Sequence, residues 1–519
     1  MANRKHTGAG TAPQRLLHTP EPYTVAVCLA ILSIAIVIVF YPLTQFFFAQ
    51  DDFTLMLRSS THGGGSLLET IKPQPGQFRP LSKVLYFHLM YRWFGLDPLP
   101  YHLFSLFLHI CNTILIFFLM RRFKLRFLSA LLVTLLFALS TAFTNIIAWA
   151  ACIQQLLGEL FALLALLAGI AAVDNRSLKL SIAATAAYLL ALASMEQVAA
   201  IPLVLAIYAW MGETGGSETS RIGDAAKKTA VPLAAMLLYL IFMLIWKRLP
   251  GAGPYTLHFG RNIIDNLLVY LHWTYAFSIQ IPFIINNLRT GLTVAHLILL
   301  AVVLYSLARG RTRMVTVSLA WYLLTLLPVL PLQNHTFFTH TYIPSLGVLL
   351  PLGWIVDDFF TTLAHWNPKR ARWYIALFFL LIPVMSFVQI RKGVTTQMRE
   401  DYPLPRNYIL RRAIIAKTAH DDIMDRKIPL PPGGKFFMVF LGERSWYSSN
   451  VYGALGQGDA IRLFYDNPGL RIFAYFKGDT LDTYTPEDSQ VLFYDHLGNF
   501  FTDKEISSKS ESAIGEIRE

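Results

Sequence analysis

Two adjacent aspartates, Asp51 and Asp52, follow the first long apolar run of this chain, in Phe47-Phe48-Ala49-Gln50-Asp51-Asp52-Phe53. The run from about Tyr23 to Phe48 reads as a membrane span, so the pair stands where a helix leaves the bilayer. Carboxylates at a membrane edge are costly and mark a functional site by default. An acidic pair there suits general-base chemistry. One carboxylate takes a proton, and its neighbour raises its pKa, orients a substrate or shares a ligand. Asp52 is also a candidate oxygen ligand for a divalent ion such as Mg or Mn, although spacing supplies no strong third ligand.

The elements that must position this pair are membrane helices. Of 519 residues, 54% are hydrophobic and only 15% charged, with a mean hydropathy of +0.46. Soluble domains carry about 25% charged residues, so the composition is that of an integral membrane protein. The 37 Phe and 23 Tyr suit interfacial aromatic belts. Net charge is +12, and its placement matters more than its size. Residues 1–390 hold 27 Lys and Arg against 14 Asp and Glu, whereas residues 391–519 hold 17 against 18. The basic excess therefore belongs to the membrane part, where the positive-inside rule explains it, and nucleic acid is excluded as a partner. The three cysteines, Cys28, Cys111 and Cys152, lie in apolar stretches without metal or disulfide spacing.

A span needs about 20 apolar residues. That rule predicts helices near 23–48, 100–120, 127–143, 152–173, 179–194, 197–211, 230–248, 292–309, 314–332, 341–357 and 372–390. Residues 263–285 carry Asp265, Asn266, His272 and Trp273 and read as an interfacial or partly inserted segment. The first apolar run is too long for a signal-peptide core and reads as an uncleaved helix. The basic loops around Arg121 to Arg126, Arg309 to Arg313 and Lys369 to Arg372 are expected in the cytoplasm together with the N-terminal tail. Eleven spans place these loops on one side, and Asp51, Asp52 and everything after about Arg391 on the other.

The organisation expected is a cytoplasmic tail over 1–22, a transmembrane module over 23–390 with an outer loop at 49–99, and an outer domain over 391–519. That last part alternates strand-like runs at 435–440, 461–465 and 470–476 with turns, and has a hairpin pattern around His496 to Asn499. A helical pattern covers Arg406 to Lys427. It reads as a small α+β domain without a catalytic motif.

The segment from Phe78 to Arg122 is the densest in polar features. Arg79 precedes Pro80, and Gly95-Leu96-Asp97-Pro98 makes a turn. His102, Ser105, His109 and Asn112 then share one helical face. Such a stripe inside a membrane helix faces protein or water. Interhelical hydrogen bonding accounts for His109 and Asn112 as well as a ligand does. His102, nearest the outer face, is expected to touch a ligand. The mid-helix Glu159 reads as an interhelical hydrogen-bonding acid, near Gln154 and Gln155.

The run Phe78-Arg79-Pro80-Leu81, then Phe94-Gly95-Leu96-Asp97-Pro98, then Tyr101-His102-Leu103 resembles the N-terminal block of polytopic GT-C glycosyltransferases. The resemblance is to the protein O-mannosyltransferase-like proteins, including bacterial relatives of those with tetratricopeptide repeats. Further blocks follow in order: Ala148-Trp149; Ser194-Met195-Glu196 with Pro202; Gly253-Pro254-Tyr255 with His258-Phe259, Asn266-Leu267 and Tyr270; and Tyr342-Ile343-Pro344-Ser345-Leu346-Gly347. The likeness covers about residues 22–360. The chain departs from the family at Thr141, Phe143 and Asn145, where relatives carry a Pro, a His and a Glu. It departs again at Met195 in place of Lys and at Thr339 in place of Arg.

The resemblance implies a GT-C type fold of about eleven transmembrane helices. It also implies transfer of a sugar, with inversion, from a polyprenyl-phosphate donor to an acceptor on the outer face. Asp51 would be the base, and Asp52 would tune it, orient the acceptor or hold a divalent ion. The lipid phosphate needs cationic or donor partners at the membrane edge. Arg79, His102, Tyr255, His258, His335 and His340 fall in outer segments or at helix ends, and Glu196 would contact sugar or acceptor or pair with an arginine. The acceptor is a protein, a lipid or a polysaccharide, and membrane lipids surround the whole. A bacterial inner membrane fits the short basic loops. Two readings compete: a lipid or glycan transporter or flippase, and a catalytically degenerate scaffold for surface-glycan or protein assembly.

Overall fold

The computed structural model describes residues 21–60, 78–212, 217–246, 256–279, 288–333, 336–399 and 402–506. The last stretch has breaks at 431–432, 443–445, 477–478, 480, 482–483, 486 and 503–504. The described chain is mostly helical.

Described helices overlap the eleven expected stretches, but not all of them are long enough to be spans. Six described helices are long and apolar enough to cross a membrane: Pro22–Gln45, Pro98–Arg122, Phe127–Ala148, Ala150–Asn175, Ser345–Trp366 and Pro368–Thr395. The pair Glu218–Lys228 and Ala230–Ile245, bent by 77°, makes a seventh if it is one span. Leu178–Leu192, Glu196–Trp210 and Leu297–Ala308 are shorter. A 15-residue helix such as Leu178–Leu192 rises only about 22 Å, against a hydrocarbon core of about 30 Å. The ambiguous region at 263–285 begins as a helix, Asn262–Ile279.

Local chemistry sets the helix ends. Asp97 accepts the Leu99 N–H at 3.1 Å and Pro98 starts the next helix, its fixed φ suited to a first turn. Asn367 and Pro368 repeat the device, with Asn367 accepting the Arg370 N–H at 3.0 Å. Gly347 permits a close crossing, because a Cβ there would lie 2.5 Å from the Ser318 carbonyl oxygen. The polar stripe ties helices together. His109 hydrogen-bonds the Tyr342 hydroxyl and the Ala138 carbonyl, both at 2.8 Å. Asn112 donates to the Leu156 carbonyl at 3.0 Å and to the Tyr342 hydroxyl at 3.2 Å.

After the last long helix come two short antiparallel strands, β1 (Gln397–Arg399) and β2 (Tyr402–Pro405). A second sheet has the order β4-β3-β5-β6. Its strands are β3 (Lys435–Phe440), β4 (Arg471–Phe476), β5 (Ser489–Tyr494) and β6 (Phe500–Phe501). The central β3 runs parallel to β4 and to β5, while β6 returns antiparallel to β5, forming the expected hairpin. Parallel pairing demands a helical crossover, and this corrects one expectation. Residues 461–465 are not a strand but lie in and just after the helix Asp459–Phe464, part of the connection from β3 to β4. Asp459 begins that helix and pairs with Arg462 at 2.6 Å, a local bond that favours the helical turn.

The helix Tyr408–Asp425 is capped by Asn407, whose side chain accepts from the Ile409 and Leu410 N–H groups and donates to the Asn145 side chain at 2.7 Å. One apolar cluster runs without a break from Leu29 through the membrane helices to Phe500. The C-terminal elements therefore pack directly on the segment that carries the acidic pair.

Candidate active site

The first span ends in the turn Tyr41–Gln45, where Pro42 sits at the start. The chain then turns at Gln50 and begins the helix Asp51–Ser59 with both aspartates in its first turn. Negative charge is favoured there by the exposed N–H groups.

The two carboxylates have opposite surroundings. Asp52 is fully buried. One oxygen accepts the Ala49 N–H at 3.0 Å and the other the Ala151 N–H at 2.6 Å, with the Ala150 N–H also contributing. Ala150–Cys152 is the turn that opens the helix Ile153–Asn175, so Asp52 closes that helix's open N–H groups from a distant part of the chain. Burial pushes its carboxyl up to about 8 against the pull of these N–H groups, and Asp51 adds to the rise. Asp51 itself is exposed. The protein around it raises its pKa by desolvation, opposed by Lys83, Arg412 and Arg58 in that order.

These three cations define the site, and two further groups extend it. The turn Pro80–Leu85 holds Lys83, and two hydrogen bonds fix that turn to the segment before Glu196. The Leu81 N–H donates to the Ala193 carbonyl at 3.0 Å, and the Ser82 hydroxyl to the Ser194 carbonyl at 2.7 Å. Arg79 pairs with Glu196, both side chains largely enclosed, and donates to Gln154. Burial lowers Lys83 to about 7 with help from Arg79, while Glu196 and Asp51 work the other way. Arg58 comes from the Asp51–Ser59 helix, and Arg412 from Tyr408–Asp425. The result is an exposed carboxylate at the exit of a membrane helix, among cations from three parts of the chain. Such a group can take a proton beside a bound anion.

The structure brings together Asp51, Asp52, Arg79 and Glu196 among the residues singled out from sequence. His340 adjoins them through its main chain, its carbonyl accepting from Gln197 at 2.8 Å, with its ring against Tyr270 and Phe337. His102 is not free to meet a ligand. It is fully buried, with its ring nitrogens 3.1 Å from the Ile147 carbonyl and 2.9 Å from the Phe46 carbonyl. It pins the exit of the first span to the turn before Trp149. His258 is exposed and hydrogen-bonds Asn262 at 2.9 Å beside the Leu257–Leu332 bridge, and none of its described contacts reaches the Asp51 group. Tyr255 and His335 lie outside the described residues.

Lys83, Arg58 and Arg412 were not singled out from sequence. For Lys83 a signal existed: it stands four residues after Arg79, so one helical turn carries both cations. Arg412 had none, because nothing local links residue 412 to residue 51.

Among the described residues no metal site is gathered around the acidic pair. Both Asp52 oxygens are occupied by main-chain N–H groups, and among the described residues no three His, Cys, Asp or Glu side chains gather as a ligand set.

No family model and no curated protein matches the chain. Among solved structures it is similar to the oligosaccharyltransferase of Archaeoglobus fulgidus in the apo form, with 11% identity and a TM-score of 0.46 over 87% of this chain. It is also similar to the oligosaccharyltransferase AglB of Archaeoglobus fulgidus in complex with an inhibitory peptide and a dolichol-phosphate, at 12% identity and a TM-score of 0.43 over 84% of this chain. The alignment spans 64% of the length of each archaeal chain. The arabinofuranosyltransferase AftD from Mycobacteria gives 14% identity and a TM-score of 0.41, over 81% of this chain and 30% of that one. At such identities and scores, function has to be read from this chain's own residues.

Proposed function

We propose that this chain is a membrane glycosyltransferase that moves a sugar from a polyprenyl-phosphate donor to an acceptor on the extracytoplasmic face. The observation that carries this reading is the exposed Asp51 at the exit of the first span, with Lys83, Arg412 and Arg58 around it.

The chemistry follows from the charges. The acceptor O–H or N–H gives its proton to Asp51 as its oxygen or nitrogen bonds to the anomeric carbon. The bond from that carbon to the phosphate oxygen breaks on the opposite face, which inverts the centre. The electron pair leaves with the lipid phosphate, whose growing charge is met by Lys83, Arg58 and Arg412. Arg79 is neutralised by Glu196 and holds the turn that presents Lys83. Asp52 holds the site's frame through Ala49 and Ala151, and no step passes through it. In this reading the chain crosses a bacterial inner membrane eleven times. The N-terminus lies in the cytoplasm and residues 391–519 lie outside, over the site.

The test is comparative mass spectrometry of surface glycans and glycoproteins in a deletion strain, complemented with wild type or with Asp51→Asn. Wild type should restore a missing glycan and D51N should not. A deletion that alters no glycan would sink the proposal. A flippase predicts instead that Asp51→Ala leaves transport of a labelled lipid intact.

A further inference from the structure

Gln50, the residue before the acidic pair, has φ 55° and ψ −117°. This is the backbone of the first central position of a type II′ turn, where glycine is the residue that fits. A side chain at such a position is retained only where the surroundings hold it.

Here the surroundings are C-terminal. The Gln50 N–H donates to the Ala454 carbonyl at 2.9 Å. Its side-chain oxygen accepts from the Arg412 guanidinium. Its carbonyl faces Gly456, where a Cβ would lie 2.7 Å away. One turn further on, Thr54 donates to Asp459 at 2.7 Å. Residues from the helix Tyr408–Asp425 and from the β3–β4 crossover thus grip both ends of the turn that aims Asp51.

From this we infer that the C-terminal unit is a positioning clamp: Arg412, Ala454 and Gly456 hold Gln50 in a backbone conformation it would otherwise leave, and so fix Asp51 toward the cations. Arg412 acts through Gln50 as a positioning residue, in addition to its charge near Asp51. The inference rests on Asp51 being the reacting carboxylate only for its effect on rate. The clamp itself is a claim about the backbone at residues 50–54.

A cycle of R412A, Q50G and the double variant tests it. Glycine at 50 adopts the turn unaided, so the clamp becomes dispensable there. R412A should lower kcat about tenfold or more in the wild-type background, as expected for a displaced reacting group. In the Q50G background, where only its charge is lost, the fall should be at least about fivefold smaller than in wild type. Hydrogen exchange across residues 48–56, measured on the same proteins, should rise in R412A and return towards wild type in the double variant. Exchange over 98–122 should not change, which shows that the fold is retained. An equal loss of kcat in both backgrounds, with no change in exchange over 48–56, would overturn the clamp. If D51N leaves product formation intact, Asp51 is not the reacting carboxylate, and the exchange data alone decide the clamp.

Discussion

Asp52 accepts a 2.6 Å hydrogen bond from the Ala151 N–H, and this tie divides the labour of the acidic pair. Asp52→Ala would leave the buried N–H groups of Ala49 and Ala151 without their acceptor, at a cost of about 1–3 kcal/mol each. Asp51→Asn keeps shape and breaks no such bond. D52A should therefore lower the unfolding temperature in detergent markedly, while D51N should leave it near wild type. D51N should cut product formation by about two to four orders of magnitude, the usual worth of a positioned base. Similar unfolding temperatures for the two variants would mean that Asp52 does not brace the fold.

The elevated carboxyl of Asp52 also fixes a pH dependence. Its folded pKa of about 8 lies above the 3.8 of a free carboxyl, so the folded protein holds this proton more tightly than the unfolded chain does. The linked stability is fully present below about pH 4 and is lost as pH rises to about 8. Thermal unfolding followed from pH 5 to 9 should show this fall, and D52N should flatten it. An identical slope in D52N would assign the proton to another group.

Lys83 imposes a pH dependence of the same direction on ligand binding. Burial brings it to about 7, so its positive charge fades as pH rises through neutrality. Binding of a short-chain polyprenyl phosphate should weaken between pH 6 and 8. Lys83→Arg, which stays charged, should bind with little pH dependence over that range. A wild-type affinity constant across it would remove Lys83 from the phosphate site.

The sequence carried the frame of this site better than its interior. Asp51 and Asp52 could be found because a charge pair at the end of a long apolar run is rare in one dimension. Helix places were legible for the same reason, since apolar length is a local property. Their true lengths were less so, because a run such as 179–194 is mostly apolar with no sharp break, and its end depends on how Ser194 and Glu196 fold back against the Pro80–Leu85 turn. The pairing of Arg79 with Glu196, the capture of Asp52 by Ala151 and the arrival of Arg412 at Gln50 are tertiary, and no periodicity encodes them. His102 misled because a histidine enclosed between two carbonyls looks the same in sequence as one awaiting a ligand. The helix at 459–464 misled because Ile461, Leu463 and Phe464 fit either period over so short a run.

Glu196 offers the sharpest check on the electrostatics. It pairs with Arg79 and stabilises the charged form of Lys83, whereas Arg79 opposes that form. Glu196→Gln removes the larger of the two acidic influences on Lys83 and leaves Asp51 alone to oppose Arg79 and Arg58. Lys83 should then give up its proton at a lower pH than in wild type. At pH 7 the variant should bind the polyprenyl phosphate more weakly, and at pH 6, with the lysine charged again, it should regain most of the difference. Breaking an enclosed ion pair by removing one partner also costs about 3–5 kcal/mol, so the unfolding temperature should fall at both pH values. The two effects separate because only binding recovers on acidification. Adding Lys83→Arg to E196Q should restore binding at pH 7 without restoring stability. If binding in E196Q stays equally weak at pH 6 and pH 7, Glu196 acts through the position of the Pro80–Leu85 turn and not through the charge of Lys83.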